Sequence, residues 1–193
     1  MDERIEFKKI FNGSDSKEIY ECLLKKNIEY HKPYKRFNRI VKVPRGQASY
    51  TLNKNIHYNY GVSGGSPKNE VMCDILKAIT IKVNEGLNTN YNTILMNVYK
   101  TGDDCIGFHS DNEKGWVRGS GFTTLAFGAV RDFQLRKHDT KLITTISHLE
   151  GYAIHMPFPL NNEFTHSVPK RKRSTGCRIS LTFREISTAQ STA

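Results

Sequence analysis

Apolar positions recur with a helical period in two early stretches and with a strand-like period in the second half of the chain. Ile19, Cys22 and Leu23 follow helical spacing, and Asp15 with Glu18 three residues later resembles a capping box. These predict a helix over about Ser16 to Asn27. A second helix is marked by Ser66 as N-cap, Pro67 at the first helical position, and Val71, Ile75, Ala78, Ile79 and Val83 on one face. Gly86 should stop it. Between the two, HKPYKRFNRIVKVPRGQASYTLNKNIHYNYGVSGGSP has no helical period and one alternating piece, Ile40 to Val43. It reads as short strands and exposed loops.

From Tyr91 onward the apolar runs are short or alternating: TILMNVY, GFTTLAFG, DFQLR, LITTISHL, YAIHM and RISLTFR. Gly, Asp, Asn or Pro turns separate them, which predicts an antiparallel barrel or a double-sheet jelly roll. Helices first and a β-rich core afterwards, without linker or internal repeat, make an α+β fold in one domain over residues 1–193.

Composition narrows the setting. A chain of 193 residues is the size of one domain with a sizeable core, and no stretch approaches the roughly 20 apolar residues of a membrane span. No membrane association is expected. The opening MDERIEFKKI has mixed charges instead of a basic segment followed by an apolar run, so an intracellular protein is expected, nuclear in a eukaryote and otherwise cytoplasmic. Cys22, Cys73, Cys105 and Cys177 form no CxxC pair, against both a disulfide framework and a zinc ribbon. The net charge of +10 makes nucleic acid the leading partner, since a basic protein gains by releasing counterions from phosphates; solubility alone is the other reading.

Chemistry concentrates in GFHSDNE. His109 and Asp111 are two residues apart, so on a strand both side chains leave the same face. With one more histidine from a distant strand, they make the two-His, one-carboxylate facial triad of non-haem Fe(II), which leaves positions open for a co-substrate and oxygen. His166, in FTHSVP, is the natural third ligand. In RISLTFR, Ile179, Leu181 and Phe183 point one way and Arg178, Ser180, Thr182 and Arg184 the other. Two permanently charged forks on one face suit a dicarboxylate, although an amphipathic strand with exposed arginines has the same pattern. Asn97 and Tyr99 share a face of TILMNVY and would add neutral donors. His31, His57, His138, His148 and His155 have no matching partners and read as structural or surface residues, and Trp116 and Met156 as core or pocket wall.

The pieces MNVYKTGDDCIGFHSDNE, LAFGAVRDF, THSVP and RISLTFR, in that order, resemble the AlkB family of Fe(II) and 2-oxoglutarate dependent dioxygenases. The likeness is greatest to its branch that repairs alkylated bases in double-stranded DNA, and it covers about Val43 to Ile186, with VPRGQASY as a further piece. The resemblance implies a double-stranded β-helix core over about residues 91–186, with about residues 1–65 forming an N-terminal helix and a nucleotide-recognition lid. It implies iron held by His109, Asp111 and His166. It implies 2-oxoglutarate held by Asn97, Tyr99, Arg178 and Arg184 with Thr182 nearby, and O2 as oxidant. The implied reaction is oxidative demethylation of N1-methyladenine and N3-methylcytosine in DNA, releasing formaldehyde, succinate and CO2.

Substrate contacts are implied at Phe37, Arg45, Tyr58, Tyr60, Asn112 and Glu113. Tyr58 and Tyr60 match the base pocket, with Tyr60 preferred as the ring that sandwiches the base against His109. Phe37 matches an apolar finger that fills the gap left by a flipped base, and Lys35, Arg36 and Arg39 beside it would hold phosphates on either side. Glu113 would favour cationic lesions, and Asn112 stands where relatives often carry Asp. The hairpin after FQLRKHDTK looks shorter than in the duplex-repair branch, so single-stranded DNA or RNA is the alternative substrate. Lys170 to Arg173 reads as a phosphate track, a nuclear address or a solvated loop. A monomer is expected. The remaining alternatives are another 2-oxoglutarate hydroxylase on the same core, or a catalytically silent nucleic-acid-binding module.

Overall fold

A computed structural model describes residues 2–26, 28–30, 33–36, 39–59, 67–173 and 176–188. In chain order its elements begin with β1 (Glu6–Lys9), α1 (Gly13–Leu24), β2 (Glu29–Tyr30), β3 (Pro33–Arg36), β4 (Arg39–Lys42), β5 (Gly46–Thr51), β6 (Asn69–Val71) and α2 (Asp74–Leu87). There follow β7 (Thr93–Tyr99), β8 (Ile106–His109), β9 (Phe122–Gly128), β10 (Arg131–Lys137), β11 (Ile143–His148), β12 (Tyr152–Met156), α3 (Leu160–Glu163), β13 (Phe164–Val168) and β14 (Arg178–Arg184).

Two sheets result. The larger runs β1-β12-β9-β14-β7-β5-β2, with β6 parallel to β5, and the smaller runs β11-β10-β13-β8. At the centre of the larger sheet β14 is antiparallel to both β7 and β9. Its odd residues Ile179, Leu181 and Phe183 pack with Met96 and Val98 of β7 against Leu23 of α1 and Leu76, Ile79 and Val83 of α2. Burying each such side chain contributes about 1.5–3 kcal/mol. A second core lies between the sheets, where Tyr99, Phe122, Ile154 and Met156 meet Phe133, Leu135, Ile146, Phe164 and Val168. The fold is the expected α+β jelly roll, with the two long helices on the outer face of the larger sheet. Among the described residues no helix is long and apolar enough to cross a membrane.

Helix boundaries differ from those predicted. α1 starts at Gly13 because Asn12 is its N-cap, its Oδ1 accepting from the Asp15 amide at 3.1 Å. Asp15 therefore lies inside the first turn, where its charge complements the helix dipole. The Ser66 cap lies outside the described residues, and no helix starts at Pro67: Asn69–Val71 pairs with Ser49–Thr51 of β5. Ladder bonds to β5 outweigh the local start signal, and α2 begins only after Cys73. Its buried stripe is accordingly Leu76, Ile79, Thr80 and Val83, with Val71 exposed on β6. Gly86 is helical, and the stop comes at Asn88, whose φ of 53° is left-handed and whose N–H bonds to the Asn84 carbonyl.

Candidate metal centre and co-substrate pocket

β8 and β13 pair so that His109 stands directly opposite His166, with ring centroids 4.2 Å apart. The strand reading of HxD is half right, because β8 ends at His109 and Asp111 lies in the loop beyond it. Asp111 reaches the histidines because its loop is held from outside the sheet. Its N–H donates to Asn161 Oδ1 at 2.8 Å, and its carbonyl accepts from Asn161 Nδ2 at 3.0 Å. Arg184 donates through Nε to Asp111 Oδ2 at 3.1 Å and also through Nη2. Asp111 Oδ1 then lies 3.6 Å from His109 Nε2 and 3.9 Å from His166 Nε2.

All three ligand atoms fall within 4.8 Å of one another. Their protonation suits a divalent cation. Burial opposes the Asp111 charge, yet the Arg184 guanidinium beside it holds its carboxyl well below the usual carboxylate range. Burial, and then the neighbouring His109, push His166 down to about 3, so its ring is neutral. His109 Nδ1 is 2.9 Å from the Gly107 carbonyl, an acceptor, which places the proton on Nδ1 and the lone pair on Nε2. His166 is set by packing: Phe133 stacks on it at 5.5 Å and Phe122 lies at 5.0 Å. One ionised oxygen and two imidazole nitrogens on one side of a centre are the donor set of a non-haem Fe(II) facial triad.

The polar face of β14 turns inward, between the sheets. In register, Arg178 lies opposite Tyr99 and Ser180 opposite Asn97, so these side chains share the face that carries Thr182 and Arg184. Every residue of β7 and β14 is buried, which removes the alternative of an amphipathic strand with exposed arginines. Arg178 is 1% exposed, its Nε finds no hydrogen-bond partner, and no carboxylate among the described residues pairs with it. Burial lowers its affinity for the proton, to a pKa of about 10. A buried guanidinium needs a counter-charge, and a dicarboxylate fits that need. Arg45 Nε and Gln47 Nε2 both donate to Asn97 Oδ1, at 2.8 and 3.1 Å, which leaves the Asn97 Nδ2 hydrogens for a ligand.

Two residues with no motif to mark them, His148 and Asn161, belong to this arrangement. His148 is fully buried, and its Nδ1 accepts from Arg178 Nη2 at 2.9 Å. Its partner is 30 residues away in sequence, and only the pairing of β10 with β11 brings it inward. Asn161, on α3, is the other.

The expected substrate residues divide. Phe37 and Tyr60 lie outside the described residues. Tyr58 is 4% exposed, and its hydroxyl donates to the Asn112 carbonyl at 2.7 Å and accepts from Trp116 Nε1 at 2.8 Å. It packs with Ile56 and Ile186 beneath the metal loop. Arg45 is buried against Asn97, with a further bond to the Cys105 carbonyl. Asn112 is exposed, and its Oδ1 accepts from the Lys114 amide. Glu113 is half-buried, with Oε1 on Asn161 at 2.8 Å and Oε2 on Asn162 at 3.2 Å. His57, Tyr58, Asn59, Asn112, Lys114 and Gly115 line a cleft of about 410 Å³ beside that loop. In the basic run, Arg171 pairs with Asp132 at 2.9 Å and its amide bonds to the Gly102 carbonyl, whereas Lys172 and Arg173 are exposed.

The model of the 2OG-Fe(II) oxygenase superfamily matches residues 6–184, and the human DNA oxidative demethylase ALKBH2 is 31% identical over 92% of this chain and 71% of its own length. The chain belongs to this superfamily, in its AlkB family. Fe(II), 2-oxoglutarate and O2 are accordingly its metal and co-substrates, and the residues assembled above fit both metal and dicarboxylate. The Bos taurus ALKBH2 is 30% identical over 92% of this chain, which spans 66% of that relative. Human alkB homolog 3, an alpha-ketoglutarate-dependent dioxygenase, is 27% identical over 58% of the chain. Among solved structures OsALKBH1 superposes with a TM-score of 0.68 at 14% identity, covering 96% of this AlkB-family chain and 99% of that one. A Pseudomonas putida prolyl-4-hydroxylase reaches a TM-score of 0.52 at 14% identity, covering 95% and 93%. These two likenesses concern the fold alone.

Proposed function

We propose that this chain is an oxidative demethylase of alkylated bases in DNA, acting on N1-methyladenine and N3-methylcytosine. The observation that carries this reading is the His109, Asp111 and His166 centre set beside a buried arginine face, in a chain similar to DNA oxidative demethylases. When bound, Fe(II) with 2-oxoglutarate and O2 supplies hydroxylation of the N-methyl carbon, which is lost as formaldehyde while the co-substrate leaves as succinate and CO2.

The residues of the chain provide position and charge. His109, Asp111 and His166 hold the metal. Arg178 and Arg184, with Tyr99 and the Asn97 amide, hold the co-substrate, and Arg184 also keeps Asp111 Oδ2 occupied so that Oδ1 faces the metal. Thr182 lies on the same strand face between them. Glu113 faces the cationic base, its carboxylate held by two amides. Tyr60 stacks on the base, Phe37 fills the gap it leaves, and Lys172 and Arg173 meet phosphate. About residues 1–65 serve recognition and about residues 91–186 catalysis, in a monomeric enzyme that works inside the cell.

The test is a panel of oligonucleotides bearing the same lesion in single-stranded DNA, duplex DNA and RNA, assayed by mass for methyl loss with and without 2-oxoglutarate. Methyl loss from DNA that needs both Fe(II) and 2-oxoglutarate is expected. Methyl loss from RNA alone would move the substrate to RNA, and succinate formation without methyl loss from any oligonucleotide would move it away from nucleic acid.

A further inference from the structure

We infer that Asn161 is a positioning residue that couples the metal ligand Asp111 to the substrate-side acid Glu113 through one side-chain amide; the inference rests on the metal centre proposed above. Asn161 is 3% exposed, and Leu160 before it is fully buried in the inter-sheet core, so the amide projects from an anchored turn. It uses each of its polar groups on the metal loop. Oδ1 accepts from the Asp111 amide at 2.8 Å, and Nδ2 donates to the Asp111 carbonyl at 3.0 Å and to Glu113 Oε1 at 2.8 Å.

The need for such a brace follows from where the sheet ends. The β8–β13 ladder delivers His109 opposite His166 and then stops, so Asp111 has no strand partner to fix its backbone. The Asn161 amide takes the place of that partner, engaging N–H and C=O of the same residue as a neighbouring strand would. With its backbone held by Asn161 and Oδ2 held by Arg184, Asp111 has one way to present Oδ1, toward the two imidazoles. The second Nδ2 hydrogen carries the same restraint two residues on, to Glu113, whose other oxygen is held by Asn162. A disturbance at either acid is thereby felt at the other.

Asn161→Asp isolates the claim. The new carboxylate is nearly isosteric and still accepts from the Asp111 amide, but it can no longer donate to the Asp111 carbonyl or to Glu113. Glu113→Gln, added to it, supplies a donor from the opposite side and restores the link to residue 113 with reversed polarity. The readout is the Kd for Mn(II) with 2-oxoglutarate present and oxygen absent, followed by the electron paramagnetic resonance of free Mn(II), with folding checked by circular dichroism.

Asn161→Asp should weaken Mn(II) binding by about tenfold, the scale on which outer partners of metal ligands act. The double variant should recover the part of that loss that runs through residue 113. A merely structural asparagine would not be rescued by a change at Glu113. An unchanged Kd in Asn161→Asp, or a loss that the double variant does not relieve, overturns the proposal. Failure of the wild-type protein to bind Mn(II) would overturn the metal centre itself. If Asn161→Asp does not fold, Glu113→Ala breaks the same link from the half-buried loop, and a severalfold weaker Mn(II) affinity is expected there; an unchanged one overturns the coupling.

Discussion

Arg184 and Asp111 form an ion pair that also decides which carboxylate oxygen is available: Nε donates to Oδ2 at 3.1 Å, and Oδ1 is left beside the two imidazoles. Both side chains are buried, at 2% and 9% exposure. Removing one partner of such a pair leaves the other charge uncompensated, which typically costs about 3–5 kcal/mol. Arg184→Met should therefore lower the urea stability of the metal-free protein by about 3 kcal/mol or more, on the same principle. Arg184→Lys should lose less, since it keeps the charge and gives up the fork. A Met variant as stable as wild type would show that the pair contributes nothing to the fold.

His148 predicts a pH dependence. Burial, and then the adjacent Arg178 charge, hold its pKa well below 6.5, so the native ring stays neutral. In the unfolded chain the same ring takes up a proton below about 6.5. The unfolded state then binds more protons, so this contribution to stability is complete above that pH and is lost as pH falls, by up to about 1.4 kcal/mol per unit. Urea midpoints measured from pH 7 to pH 5 should fall more steeply for wild type than for His148→Asn. Parallel curves would contradict the assignment. The same substitution should raise KM for 2-oxoglutarate more than it lowers kcat, because Arg178 loses its orienting acceptor.

Tyr58 and Tyr60 should separate cleanly. Tyr58→Phe removes a hydroxyl that bonds both Asn112 and Trp116, leaving a buried indole N–H without its acceptor, at a cost of about 1–3 kcal/mol. Thermal denaturation should register that loss while KM for methylated oligonucleotide changes little. Tyr60→Ala should impair turnover of methylated oligonucleotide and leave uncoupled 2-oxoglutarate decarboxylation largely intact.

Metal should stabilise the fold by mass action, since its ligands converge only in the native chain. At a free Mn(II) concentration of 100 Kd the gain is about 2.7 kcal/mol, visible as a rise in Tm. Chelation should reverse it, and Asp111→Ala should abolish it.

How much of this was legible in the sequence depends on the range of each contact. The period of two in RISLTFR assigned the faces of β14 correctly, because alternation is a property of the strand itself. It did not say whether the polar face met water or a second sheet; that required β10 and β13 to fold over it. The start of α2 was misplaced because Pro67 is a local signal, whereas the ladder from Asn69 to Ser49 is not. His109, Asp111 and His166 were found because their residue types restrict the chemistry. Asn161 was missed because an asparagine bonded to backbone 50 residues earlier leaves no pattern in the chain.

The buried cation at Arg178 makes the stability of the chain depend on the anion that meets it. A dicarboxylate that neutralises it favours the native state over the unfolded one, so added 2-oxoglutarate should slow digestion of the protein by a protease that cuts the unfolded chain.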